Sequence, residues 1–190
     1  MKKFIIVLIL LINTKAISQE LEKAYFAGGC FWCMEESFEK TEGVIEVISG
    51  YSGGKTSNPT YEEVTYGNTG HFETVEVIFD KSITNYKTLL EIFWINIDPF
   101  DTQGQFCDKG YSYRSVAFYQ SDYQKKLIES TKKKIEKDFN KKVVTYIRNF
   151  KIFYKAEDKH QDYYNEYFIN YLLYKKSCGR EDKLNKIWNK

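Results

Sequence analysis

Apolar and polar positions along the chain follow two different periods in turn. Phe72 to Phe79 alternates with a period of two, with Val75, Val77 and Phe79 on one face, which predicts a strand. Tyr86, Leu89, Leu90, Phe93, Trp94 and Ile97 recur at helical spacing instead. Thr84 is placed to cap that helix, and Asp98-Pro99 to stop it. Further strands are predicted at Ala24 to Ala27, Val44 to Tyr51, Ser115 to Tyr119 and Val143 to Ile147. Met34 to Lys40, free of Gly and Pro, suits a helix, and Tyr61 to Tyr66 a helical turn. Ser121 caps a helix that turns Tyr123, Leu127, Ile135 and Phe139 inward, and a tyrosine-rich helix follows from about Glu157 to Tyr174. Phe100 to Ser112 is a long irregular stretch with Gly104, Cys107, Asp108 and Gly110, and long loops in compact domains are often functional. The tail from Lys175 to Lys190 is basic and poorly patterned. The alternation predicts a layered α/β or α+β domain with a mixed sheet.

The first residues read as a targeting segment. Lys2 and Lys3 precede an apolar run, Phe4 to Ile12, that is too short to span a bilayer as a mature helix. Ala16-Ile17-Ser18 then offers small residues for cleavage after Ser18, which predicts a signal peptide over 1–18 and one domain over 19–190. Removing 18 of 190 residues leaves 172, enough for one core. Lys2, Lys3 and Lys15 go with them, so 25 of the 28 cations remain against 26 acidic residues. A nearly neutral chain gives no electrostatic case for a nucleic-acid partner. Export to the periplasm or cell envelope is expected, with no membrane anchor after cleavage, and an oxidising compartment permits disulfides among the four cysteines. A domain of this length folds without staples, so redox or nucleophilic use of Cys30, Cys33, Cys107 and Cys178 is the better expectation.

The chemistry concentrates at Gly28-Gly29-Cys30-Phe31-Trp32-Cys33. A strand, a glycine turn and a helix start place Cys30 among free backbone N–H groups, where a thiolate is favoured and the thiol pKa is expected to fall. Three other segments are rich in polar chemistry: Asn58 to Val64, Gly67 to Glu73 and Cys107 to Ser115. Together and in this order, the four closely resemble the peptide methionine sulfoxide reductase A family, in its Cys-Phe-Trp-Cys form, over nearly the whole mature chain.

The resemblance implies an α+β two-layer sandwich with a central mixed β-sheet, flanking helices and a ferredoxin-like core. It implies reduction of methionine S-sulfoxide, free or in oxidised proteins, with no bound cofactor. A thioredoxin-like dithiol would serve as external reductant, and the enzyme would be a monomer. Cys30 matches the nucleophile, and Phe31 and Trp32 the rings that hold the substrate methyl group. Glu73 matches the acid that protonates the sulfoxide oxygen, Tyr61 and Tyr113 its hydrogen-bonding hydroxyls, and Asp108 a carboxylate that organises the pocket. The chemistry is reasonable in itself. Burial beside aromatic rings keeps a carboxylic acid neutral, and attack leaves a sulfenic acid that a second thiol condenses into a disulfide.

The partner of Cys30 stays open. Cys178 ranks first, as a thiol on a mobile tail; Cys33 second, one helical turn away; and Cys107 third, beside Asp108. Several residues also have plainer readings: Glu73 as an outward charge on its strand, Asp108 as a turn former, His71 as structural. His71 and His160 with the cysteines lack compact zinc spacing, so no metal is expected. Two other functions compete. One is a thioredoxin-like thiol-disulfide oxidoreductase, although neither Pro59 nor Pro99 suits the cis-proline that fold needs. The other is an aromatic-rich binding module with a structural disulfide.

Overall fold

A computed structural model describes residues 20–188; the expected signal peptide lies outside them. In chain order the elements are β1 (Leu21–Ala27), α1 (Phe31–Glu39), β2 (Val44–Ser52), α2 (Tyr61–Tyr66), β3 (Phe72–Asp80) and α3 (Tyr86–Ile95). The short strands β4 (Gly104–Gln105) and β5 (Asp108–Lys109) form a hairpin inside the long irregular stretch, followed by β6 (Val116–Tyr119), α4 (Asp122–Phe139), β7 (Tyr146–Asn149) and β8 (Phe153–Lys155). Three helices close the chain: α5 (Tyr163–Glu166), α6 (Phe168–Cys178) and α7 (Arg180–Trp188).

Six strands make one mixed sheet in the order β7-β6-β1-β3-β2-β8. The β6–β7 pair is parallel and the other pairs are antiparallel. Helices α1, α3 and α4 cover one face, where Phe38, Leu89, Leu90, Phe93 and Ile128 pack on Phe26, Val75, Val77 and Phe79. On the other face Tyr25, Phe72, Val116 and Phe118 are covered by Phe150 and Phe153, with Tyr25 stacked on Phe150. The expected α+β class with a central mixed sheet is what forms. Strand β3 is buried on both faces because β1 and β2 flank it and both layers cover it.

Three local expectations are corrected. The cap of α3 is Asn85, whose side chain accepts from Thr88 N–H, one residue beyond Thr84. On α4 Ile135 is buried and Leu127 packs against the core as expected, but the inward stripe runs through Gln124, Ile128 and Thr131, while Tyr123 is 65% and Phe139 37% exposed. Two stripe members are polar, which hid the pattern: Gln124 accepts from Gln120 N–H, and Thr131 accepts from the Trp94 indole. The tyrosine-rich helix is broken into a 3-10 turn at Asp158–His160, α5 and α6, and the supposedly unpatterned tail is helical. Phe168, Ile169, Leu172 and Leu173 of α6 face solvent, so no apolar stripe marks that helix. It is held by Tyr171 and Lys175, which bond Glu36 on α1, and by a disulfide at Cys178.

Candidate active site

The site begins where β1 ends. Gly29 has φ +85°, a region that favours glycine, and a Cβ there would lie 2.5 Å from Gln105 Cβ. The tight turn puts Cys30 at the N-cap of α1, where its carbonyl accepts from the Cys33 and Met34 N–H groups. The next N–H, of Phe31, donates to Glu73 Oε2 at 3.0 Å. The helix start is thus occupied by a carboxyl group from β3. Glu73 is 2% exposed, so it is not an outward charge. It shares strand phase with Val75, Val77 and Phe79, and that phase was the signal in the sequence that it points into the core.

Cys30, Phe31, Trp32, Tyr61, Glu73, Asp108 and Tyr113 all line one cavity of about 90 Å³. This is room for about three waters, which suits the tip of a side chain. Tyr61 starts α2, whose entry is fixed by the Thr60–Glu63 capping box. Tyr113 ends the 3-10 turn at Tyr111–Tyr113. The Trp32 indole lies flat on Tyr163, with ring centroids 3.8 Å apart, and Phe31 packs against Tyr51, Tyr61 and His160. Sequence reasoning missed Tyr174 of α6, which lines the same cavity and donates to Asp108 Oδ2 at 2.6 Å. Nothing distinguishes it in the sequence from the other tyrosines of its helix.

Burial governs the charges here. It pushes Glu73 up to about 8 against the opposing bond from Phe31 N–H, so the carboxylic acid is neutral at pH 7. Asp108 is also pushed up by burial, with the Tyr174 hydroxyl and the charge of Arg180 opposing. Tyr61 and Tyr113 are raised, chiefly by burial, and keep their hydroxyl protons as donors. The expected fall in the Cys30 pKa does not occur. Burial raises it well above the ordinary thiol range, and Cys33, Glu73 and Asp108 add to the rise. The helix start favours an anion there, but Glu73 already takes the Phe31 donor. Cys33 moves the other way, to about 7. The Cys30 thiol bonds its sulfur, and Arg180 and Tyr171 reinforce that effect against burial.

The other cysteines are paired with each other. Cys107 and Cys178 form a disulfide, leaving Cys30 and Cys33 as buried free thiols. Cys178 sits at the end of α6 and is buried, so the picture of a thiol on a mobile tail does not hold. His71 accepts from Gly54 N–H at Nδ1 and bonds Thr56 O through Nε2, which pins the loop after β2 as a structural residue would. Among the described residues two side-chain groups have metal-like spacing, Cys107–Asp108–Cys178 and Glu35–Glu39–Asp162. In the first, both sulfurs are consumed by the disulfide. In the second, Glu35 accepts from Asp162 N–H and Ser49, and Glu39 accepts from Tyr164.

The family model for peptide methionine sulfoxide reductase matches residues 22–190. The chain belongs to the peptide methionine sulfoxide reductase family. It is 45% identical over 176 residues to the peptide methionine sulfoxide reductase MsrA of Bacillus licheniformis, covering 92% of this chain and 97% of that one. It is 44% identical over 169 residues to MsrA 2 of Staphylococcus aureus, covering 88% and 96%. Among solved structures, reduced Mxr1 from Saccharomyces cerevisiae superposes with a TM-score of 0.72 at 28% identity, over 80% of this chain and 90% of that one. Methionine sulfoxide reductase A of Corynebacterium diphtheriae gives 0.70 at 30% identity, over 77% and 74%. The chain is therefore an oxidoreductase of the methionine sulfoxide reductase class. The family match does not favour the thioredoxin-like alternative.

Proposed function

We propose that this reductase acts on the S epimer of methionine sulfoxide, in oxidised proteins or free, with Cys30 as nucleophile, Glu73 as proton source and Cys33 as resolving thiol. The observation that carries the reading is a buried, neutral Glu73 in the same 90 Å³ cavity as Cys30. Phe31 and Trp32 offer the sulfoxide methyl group an apolar wall, and the Tyr61 and Tyr113 hydroxyls are donors for its oxygen. Glu73 gives its proton to that oxygen as the Cys30 sulfur attacks. The proton leaving Cys30 restores Glu73, so Glu73 begins and ends protonated. The net step converts thiol and sulfoxide into Cys30 sulfenic acid and methionine. Cys33 then displaces the sulfenic oxygen and closes a Cys30–Cys33 disulfide.

Cys33 displaces Cys178 as first choice because Cys178 is bonded to Cys107, whereas Cys33 touches Cys30 and ionises near neutral pH. A fold neighbour, yeast Mxr1, has been crystallised in complex with Trx2, which supports a thioredoxin-type reductant for this disulfide. The role we assign is repair of methionines oxidised outside the cytosol, by a monomer released after cleavage at Ser18. Mass measurement of the exported protein tests that cleavage. Among the described residues no helix is long and apolar enough to cross a membrane. The activity is tested by turnover of each methionine sulfoxide epimer with dithiothreitol. Consumption of the S epimer alone, abolished by Cys30→Ser, is expected; turnover of the R epimer, or retained activity in the variant, would sink the reading.

A further inference from the structure

Arg180 is 4% exposed, and among the described residues no carboxylate lies within 4.0 Å of its guanidinium. It donates to Asn96 O at 2.6 Å and to Met34 Sδ at 3.5 Å, and lies over the Phe106 ring at 4.6 Å. An arginine does not shed its proton, and a buried cation without an anion is costly. Its place in the helix adds to the cost: it is the first residue of α7, where the helix dipole disfavours positive charge. Such a residue calls for an anion nearby.

A cavity of about 250 Å³, separate from the substrate pocket, has Arg180 and Cys33 in its wall. Glu36 and Lys175 line it too, but Glu36 already accepts from Lys175, Lys40 and Tyr171. Cys30 at the start of its own helix, Glu73 from β3, Asp108 from β5, Tyr171 and Tyr174 from α6, and Arg180 from α7 act on Cys33, and Glu36 from α1, Lys175 from α6 and Glu181 from α7 share the cavity wall with it. Of the two cations, Lys175 is paired with Glu36, which leaves Arg180 as the buried cation without a carboxylate among the described residues.

We propose that Arg180 is a positioning residue for recycling: its buried guanidinium is the counter-ion that holds Cys33 as a thiolate, ready to attack the Cys30 sulfenic acid. The proposal rests on the reading of Cys33 as the resolving thiol. In that step the Cys33 sulfur forms the S–S bond, the S–O bond of Cys30 breaks, and the oxygen leaves as hydroxide and takes a proton to become water. Cys33 is oxidised as the sulfenic sulfur is reduced. The Cys107–Cys178 disulfide takes part by anchorage. Cys178 ends α6, Gly179 turns the chain at φ +62°, and Arg180 follows, so the bridge fixes the guanidinium in place.

The test uses full-length protein with Cys30 and Cys33 reduced and the Cys107–Cys178 bridge intact, and one equivalent of the S-sulfoxide with no reductant, following methionine release and Cys30–Cys33 closure separately. Arg180→Gln is expected to slow closure about fivefold at pH 7, much more than methionine release, and to move its pH dependence about one unit alkaline. Arg180→Lys, which keeps the charge, should recover most of the closure rate. Closure unchanged in rate and pH dependence in a folded Arg180→Gln protein overturns the proposal. Alkylation of Cys33 in the Cys30→Ser protein, with Arg180 intact, keeps the test open if Arg180→Gln does not fold. Half-maximal reaction near pH 7 supports the proposal, and a midpoint above about 8.5 overturns it. Wild-type product mapped to a disulfide other than Cys30–Cys33 overturns the resolving role itself, and is distinguishable from a failure confined to Arg180.

Discussion

Replacing Glu73 by glutamine separates what the acid does for chemistry from what it does to the fold. The amide keeps the size of the side chain and an oxygen for Phe31 N–H, but carries no acidic proton. Proton delivery to the sulfoxide oxygen is lost, and turnover should fall by about 10²–10⁴. Stability should move the other way. The folded pKa of about 8 lies above the ordinary 4.5, so between those values the folded protein holds a proton that the unfolded chain releases. Wild-type stability from this group is therefore full below pH 4.5 and is lost progressively as pH rises toward 8. The variant has no such loss. Its advantage grows by about 1.4 kcal/mol per pH unit and reaches about 3 kcal/mol at pH 7. For a domain of this size that is a rise in Tm of roughly 6–12 °C. Glu35, also fully buried and pushed to about 8, titrates in both proteins and cancels in the difference. Thermal unfolding of both proteins at pH 5, 6, 7 and 8 measures the gap. A gap independent of pH, or a wild type that is the more stable at pH 7, refutes the buried neutral acid.

Three other outcomes follow from the site. The methionine-forming step requires protonated Glu73, so its rate should be level below pH 7 and fall about tenfold per unit well above pH 8, as a single-turnover pH profile will read. Cys33→Ser should release methionine once per chain and still turn over with dithiothreitol, which reduces a sulfenic acid directly. With a thioredoxin alone it should lose at least about tenfold in turnover, by the loss of the resolving thiol. Cys178→Ser opens a crosslink with a sequence separation of 71 residues, and should cost about 2–4 kcal/mol in denaturant unfolding while leaving Cys30 chemistry in place.

Much of the site is legible in the sequence because its parts are local signals. The glycine turn before Cys30 and the helical turn from Tyr61 to Tyr66 each follow from short-range geometry. Strands β1, β2, β3 and β6 were also legible, since they alternate or carry apolar runs, whereas β7 forms at Tyr146–Asn149 rather than at Val143 to Ile147 and the short β8 gave no signal. What escaped depends on long-range contact. Tyr174, Tyr171 and Arg180 belong to a tail whose α6 apolar residues point to solvent, so periodicity gave no sign that this tail closes the back of the site. The Cys107–Cys178 pairing was hidden for the same reason, because it joins the β4–β5 hairpin to that tail. The Cys30 pKa was misjudged because the helix start was treated in isolation. Spacing alone does not reveal that a carboxyl group 42 positions away comes to bind the Phe31 N–H, or that the thiol beside it is buried.

The central claim is that Cys30 takes the oxygen from methionine sulfoxide and Cys33 resolves the product. One equivalent of the S epimer, added to protein whose Cys30 and Cys33 are reduced and with no reductant present, followed by peptide mass mapping, tests it most directly. The predicted result is one methionine per chain, a new Cys30–Cys33 disulfide and an unchanged Cys107–Cys178 bridge. Methionine formed with Cys30 unmodified, or no methionine from folded protein, would contradict it.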